Sequence, residues 1–340
     1  MGRYQRLAVW PGCLNSGRVA SSPVLRHGLR SNNIITKTAF LTLYTPRHAT
    51  PATTRYLHVS PSISISHKMS SSLIPANPAD LMVIRNVTPN VVTFSVPFAR
   101  FGRIQIGGRG TLVRLTTGNL AVFSPVALTE ETKAKVAELG GNVAYIIALD
   151  FEHHIFVSEW AAQWPEAKII GPEGLPEKRA KQTKDPKIND DKFAVVFTKE
   201  GKRDIRISEE FDADFDYEYV DGHVNKELVF NYRPDKVLIE ADLMFNLPAT
   251  EQYSKVPESE RPSGFLNKIF HSVQNTSGEA TWPKRFNWHL AKDRNSMSDS
   301  LKVIDKWDFV TLIPCHGDVL EGNGKDIFRK IFQWHLQGKM

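Results

Sequence analysis

The run Val143-Ala144-Tyr145-Ile146-Ile147, followed at once by Ala148-Leu149-Asp150-Phe151-Glu152-His153-His154, constrains this chain more than any other stretch. Five apolar residues, two of them β-branched isoleucines and one a valine, read as a buried strand. A helical pattern begins near Ile155 and carries Phe156, Trp160 and Trp164 as far as Pro165. The strand Ala167-Lys168-Ile169-Ile170 follows, so the local order is β-α-β. Asp150, Glu152, His153 and His154 therefore crowd a strand-to-helix turn, the place where an α/β enzyme carries its chemistry.

The 340 residues carry a formal charge of +6, a value that would suggest a nucleic-acid or membrane partner if it were spread evenly. It is not. The first acidic residue is Asp80, and nine basic residues precede it, leaving 34 basic against 37 acidic from there on. Residues 1–79, rich in Arg, Ser and Thr, have the composition of a mitochondrial transit peptide, with cleavage expected near Arg55–Ser60 and a matrix location for the body. A disordered tail, or a cytoplasmic form starting at Met69, is the alternative. The body from residue 80 to 340 is slightly acidic, which disfavours nucleic acid as a partner. No uninterrupted apolar window of about 18 residues occurs, so no integral membrane segment is expected. Cys13 and Cys315 are the only cysteines, and the folded part cannot form an internal disulfide.

Within the body, short β-rich runs at 83–87, 91–96, 111–115 and 120–123 are separated by turn residues and read as an antiparallel meander. Thr129-Glu130-Glu131 opens a helix that Gly140-Gly141 stops. Residues 175–191 read as a surface helix and loop, and further strands are expected around 193–196, 217–220, 227–231 and 237–240. The proline-interrupted stretch 248–284 reads as an irregular insertion, of the kind that caps an active site. One helix over about 283–307, the strand 309–313, and a last helix with Ile327, Phe328, Ile331, Phe332 and Trp334 on one face complete the chain.

Three later residues sit where strands end: His223 in Asp221-Gly222-His223, Asp242 in Glu240-Ala241-Asp242, and His316 in Pro314-Cys315-His316-Gly317-Asp318. Taken singly, each has a plainer reading. Asp150 and Glu152 can cap a helix, His223 can be a surface histidine, and Cys315 reads as a buried thiol rather than a ligand. Asp242 is the strongest alone, because a carboxylate ending an apolar strand needs a cation or several donors.

Taken in order, the set resembles the metallo-β-lactamase superfamily, whose hallmark is a His-x-His-x-Asp-His turn after a strand, then a His, a bridging Asp and a final His. It is most similar to a divergent branch in which a His-His pair replaces the usual turn, and the resemblance covers about residues 83–340. It implies a four-layer α/β/β/α sandwich. Position by position, Ala148 and Asp150 fall where the first two imidazoles would be, with Glu152 at the Asp and His153 at the last His. His223, Asp242 and His316 match the middle His, the bridging carboxylate and the final His. A register shifted by one makes His154 the ligand instead.

The implied metal residues are thus Glu152, His153 or His154, His223, Asp242 and His316, with Asp242 and Asp150 catalytic. With two imidazoles missing, one divalent ion is expected rather than two: zinc first, then iron or manganese. The implied function is a metal-dependent hydrolase of a small-molecule substrate. The alternatives are a metal-free binding or scaffold protein that has lost catalysis, and iron-dependent redox or sulfur chemistry.

Overall fold

The computed structural model describes residues 78–182 and 184–339, so the leader assignment, apart from its last two residues, lies outside the described residues. The first half runs α1 (Pro78–Leu81), β1 (Val83–Asn86), β2 (Val91–Val96), a small hairpin of β3 (Ala99–Arg100) and β4 (Ile104–Gln105), then β5 (Gly108–Arg114) and β6 (Leu120–Phe123). It continues through α2 (Glu130–Glu138), β7 (Val143–Ile147), α3 (Val157–Gln163), β8 (Lys168–Pro172), α4 (Leu175–Ala180) and β9 (Phe193–Phe197). These strands form one sheet in the order β1-β2-β5-β6-β7-β8-β9. It is antiparallel as far as β6 and parallel from β6 to β9. The expected meander is present, with the β3–β4 hairpin inserted in it.

The second half builds a smaller sheet, β10-β11-β12-β13, from Phe215–Val220, Glu227–Tyr232, Val237–Ile239 and Thr311–Ile313. Its last pair is parallel. The helices of this half are α5 (Glu209–Asp214), α6 (Phe265–Val273), α7 (Thr281–Leu290), α8 (Arg294–Ile304), α9 (Gly324–Ile331) and α10 (Gln333–Gln337).

The two-residue period of the strands sorts the core into layers. Phe123, Tyr145, Ile147 and Ile170 of the large sheet meet Tyr219, Leu228, Phe230, Ile239 and Ile313 of the small one in a single buried cluster. Their sequence neighbours point the other way. Val122, Ile146 and Ile169 pack beneath Val136, Val157, Trp160 and Leu175 of α2, α3 and α4, while Val220, Val229, Leu238 and Leu312 pack beneath Met297, Leu301 and Phe328 of α8 and α9. The protein is a four-layer α/β/β/α sandwich. Each fully buried large apolar side chain contributes roughly 1.5–3 kcal/mol against its exposed state, so the three clusters, rather than helix propensity, hold the layers.

Three sequence expectations need correction; one is the single last helix, which is two, α9 and α10, meeting at Phe332. The insertion 248–284 is not irregular throughout, because α6 lies inside it. The expected helix over 283–307 is two helices. Asp293 caps the second by accepting from the Ser296 amide at 3.1 Å, and Ala291, just before it, pairs with His223 as an isolated bridge.

Candidate metal centre

Four strands deliver side chains to one end of the sandwich: β7 leads to Asp150 and His153, β10 to His223, β12 to Asp242 and β13 to His316. The turn after β7 is organised by Asp150. Its Oδ1 accepts from the amides of Glu152 and His153, each at 2.8 Å, and also from His153 Nδ1 at 2.9 Å. His316 Nδ1 in turn donates to the Gly107 carbonyl at 2.7 Å. Both rings thus spend their Nδ1 proton on a fixed acceptor, so in the neutral form each presents a bare Nε2. Those two nitrogens lie 3.2 Å apart, and His316 Nε2 is 3.0 Å from Asp242 Oδ1.

Two lone pairs and a carboxylate oxygen facing one another in a buried site repel unless a cation sits among them. Without a cation, the surrounding carboxylates favour the protonated form of His153. Burial alone would depress His153, but the adjacent Asp150 carboxylate, with Asp242 and Glu227 behind it, lifts its pKa to about 10. Burial would likewise raise Asp242, yet the His153 and His316 rings hold it well below the usual carboxylate range. His223 lies deep beside these carboxylates, where burial lowers its pKa in spite of Asp242 and Asp150.

A second set of residues fixes the first. Asn225 Nδ2 donates to Asp242 Oδ2 at 2.5 Å, leaving Oδ1 to face the imidazoles. Buried Glu227 accepts from the backbone amides of Ala241 and Asp242 at 2.6 and 3.0 Å. Its carboxyl is pushed well up, by burial first and then by Asp150 and Asp242. The His316 loop is clasped by Arg109, whose Nη1 donates to the carbonyls of Pro314 and Gly317 at 2.6 and 2.7 Å. Gln252 donates to the Cys315 carbonyl at 2.9 Å. Gly317 itself has φ +91°, and a Cβ there would lie 2.0 Å from the Asn246 carbonyl oxygen, so only glycine fits the turn that aims His316.

Of the residues read from the sequence, His153, Asp242 and His316 come together. Asp150 stands behind His153 as its hydrogen-bond acceptor, and His223 lies near Asp242 with its Nε2 buried and without a partner. Glu152 and His154 are not brought in. The Asx turn closed by Asp150 sends the Glu152 side chain, 47% exposed, outward to Lys178 at 3.4 Å. His154 is buried on the opposite side against Arg179, 3.3 Å from its Nδ1. Burial, then Lys178 and Arg179, lower its pKa to about 3. Ala148 packs outward under α3. Glu227, Asn225, Arg109 and Gln252 were not singled out in the sequence. Only the apolar setting of Glu227 at the head of β11 could have flagged one of them.

A metal ion fits this donor set. One imidazole nitrogen each from His153 and His316 and one oxygen from Asp242 cluster together, and their separations of 3.2 and 3.0 Å are close to those of donors sharing one first-row ion with bonds of about 2.0–2.2 Å. Asp242 Oδ1 and His223 Nε2 are buried polar atoms without a hydrogen-bond partner, a state rare enough in folded proteins to ask for an ion or a proton. His153 is the most exposed of the three side chains, so the cluster opens to solvent on its side.

Residues 99–174 match the family model described as "Domain of unknown function (DUF4336)". No curated protein matches the chain. Solved structures similar to it include a metallo-β-lactamase from Pontibacter korlensis, at 11% identity over 75% of this chain and 98% of that one, with a TM-score of 0.47. A metallo-β-lactamase from Erythrobacter litoralis is similar at 12% identity, covering 76% and 95%, with a TM-score of 0.47. The Flv1 flavodiiron core from Synechocystis is similar at 13% identity, covering 75% and 60%, with a TM-score of 0.48. The fold assignment rests on the layers and strand order of this chain, and the site on its own distances. Among the described residues no helix is long and apolar enough to cross a membrane.

Proposed function

We propose that the chain is a single-metal hydrolase acting on a small molecule, with His153, Asp242 and His316 holding a divalent ion, zinc in the first place. One observation carries the reading: two imidazoles whose Nδ1 atoms both face fixed acceptors aim their Nε2 atoms at one another, 3.2 Å apart, beside a carboxylate oxygen. The bound ion would supply acidification of water toward neutral pH and polarisation of a carbonyl or phosphoryl oxygen. The protein supplies the rest. Asp150 and the Gly107 carbonyl lock the two rings in one tautomer, and Asn225 orients the Asp242 carboxylate. His223 Nε2, buried and without a hydrogen-bond partner, would be the group that holds or moves a proton.

Two imidazoles and one carboxylate also form the donor set that suits ferrous iron, which keeps redox chemistry as a second reading. The acidic body supports a substrate other than nucleic acid. The basic leader supports delivery to the mitochondrial matrix. A native N-terminus after about residue 55 would bear that out, and one at Met69 or Ser70 would favour the cytoplasmic form.

The test is to load the purified full chain with zinc and follow turnover of a panel of activated esters and phosphodiesters. Turnover that falls by about a hundredfold or more in Asp242→Asn supports the hydrolase. Turnover that is absent, or equal in the variant, sinks it and leaves the scaffold reading. Oxygen consumption by iron-loaded protein alone would favour the redox one.

A further inference from the structure

α6 has no buried residue, although its sequence, Phe265-Leu266-Asn267-Lys268-Ile269-Phe270-His271-Ser272-Val273, is largely apolar. Its orientation is set by two inward contacts. Asn267 Oδ1 accepts from the Gln105 amide at 2.9 Å, and His271 Nε2 donates to the Gln105 carbonyl at 2.8 Å. At 100° per residue these two positions mark one side of the helix, and Phe265, Leu266, Ile269 and Val273 fall within a single arc on the other. Three of them stand in solvent, at 76%, 57% and 43% exposure for Phe265, Leu266 and Ile269. α7 packs beside α6 through Phe270 and Phe286, whose ring centroids are 6.3 Å apart. It adds Trp282, 58% exposed, with the Arg285 guanidinium 5.6 Å from its ring centre. Four of the seven large apolar side chains most exposed among the described residues therefore belong to α6 and α7.

The charge of the segment that carries them runs against the rest of the body. From residue 262 to 294 there are five basic residues, Lys268, Lys284, Arg285, Lys292 and Arg294, against two acidic ones, Glu279 and Asp293. The body as a whole carries 34 basic and 37 acidic residues. A short amphipathic helix with Phe, Leu and Ile on its outer arc, a neighbouring Trp stacked by Arg, and local positive charge is the combination that lies in the headgroup region of a bilayer. An acidic protein partner would match the charge, but it would not require such large apolar side chains at the periphery beside flanking cations.

We propose that the outer face of α6 with Trp282 of α7 docks the protein on an anionic lipid surface, without spanning it. The helix that carries this face is linked to the candidate metal centre, because Phe270 of α6 contacts Phe245 at 6.3 Å between ring centroids and Phe245 contacts His316 at 4.6 Å. Docking is independent of whether a metal is held there.

The test is flotation of the full chain with vesicles of phosphatidylcholine alone, or of phosphatidylcholine and phosphatidylglycerol in equal parts, at low and physiological salt. The full chain is expected to float with the anionic vesicles, less at higher salt. The variant carrying Phe265→Ser, Leu266→Ser, Ile269→Ser and Trp282→Ser should lose at least about tenfold in partitioning while keeping its circular dichroism and melting temperature. Equal flotation of the two would overturn the proposal, since binding would then come from the basic leader. So would flotation of neither, or a wild-type dimer that the variant converts to monomer, because the face would then be covered by a second copy.

Discussion

Asp150 Oδ1 accepts three hydrogen bonds at once, two from the amides of Glu152 and His153 and one from the His153 ring. It therefore does two jobs that the sequence presented as rival readings, a cap for the turn and a part of the site. The same geometry turns Glu152 away, since closing the turn on Asp150 leaves the Glu152 side chain outside it. What the residues alone could not show is the acceptor for His316, because a backbone carbonyl such as that of Gly107 carries no signature in a sequence. Asp150→Ala is expected to weaken zinc binding about ten- to a hundredfold by freeing the His153 ring, and to cost about 1 kcal/mol of stability through the lost turn cap. Competition with a chromophoric chelator measures the first and denaturant unfolding the second. Unchanged zinc affinity would mean that the His153 tautomer is set by something else.

At the scale of elements, the strands were legible because their apolar runs are short, β-branched and bounded by turn residues; β2, β6 and β7 have the bounds that the sequence suggests. The α7–α8 break was not. Its causes are the Asp293 cap, which propensity permits but does not impose, and the pairing of Ala291 with His223, a contact distant in sequence. α6 is hidden in the sequence because prolines on either side of it give the whole segment an irregular pattern. The loop after β13 is likewise held from far away. Arg109, on β5, joins Pro314 and Gly317, and its Nη2 lies 3.6 Å from Glu251. Burial pulls the pKa of Arg109 down even though Glu251 opposes it, which marks a cation kept inside for its contacts. Arg109→Met should destabilise the fold by about 3 kcal/mol, because two carbonyls and a carboxylate lose a buried partner. It should also lower zinc affinity, and Arg109→Lys should restore part of both. Denaturant unfolding at unchanged m-value reads the first. A variant as stable as wild type would show that the His316 loop holds itself.

For the molecule as a whole, the four layers follow from sequence periodicity once the strands are placed, since alternate residues of each strand go to different clusters. The site follows less completely. Its three candidate ligands come from strand ends 89 and 74 residues apart, at positions 153, 242 and 316, and only the order of the histidines and carboxylates hinted that those ends converge. The supporting residues lie on still other elements, and nothing in the sequence paired them with the loops they hold. The proposed chemistry requires a metal ion to be held by that convergence. The most direct measurement is the metal content of full-length protein purified without chelator, by inductively coupled plasma mass spectrometry, alongside Asp242→Ala. About one ion per chain, lost in the variant together with a fall in melting temperature, is the expected result. Less than about a tenth of an ion per chain, after incubation with zinc and unchanged by the substitution, would contradict it.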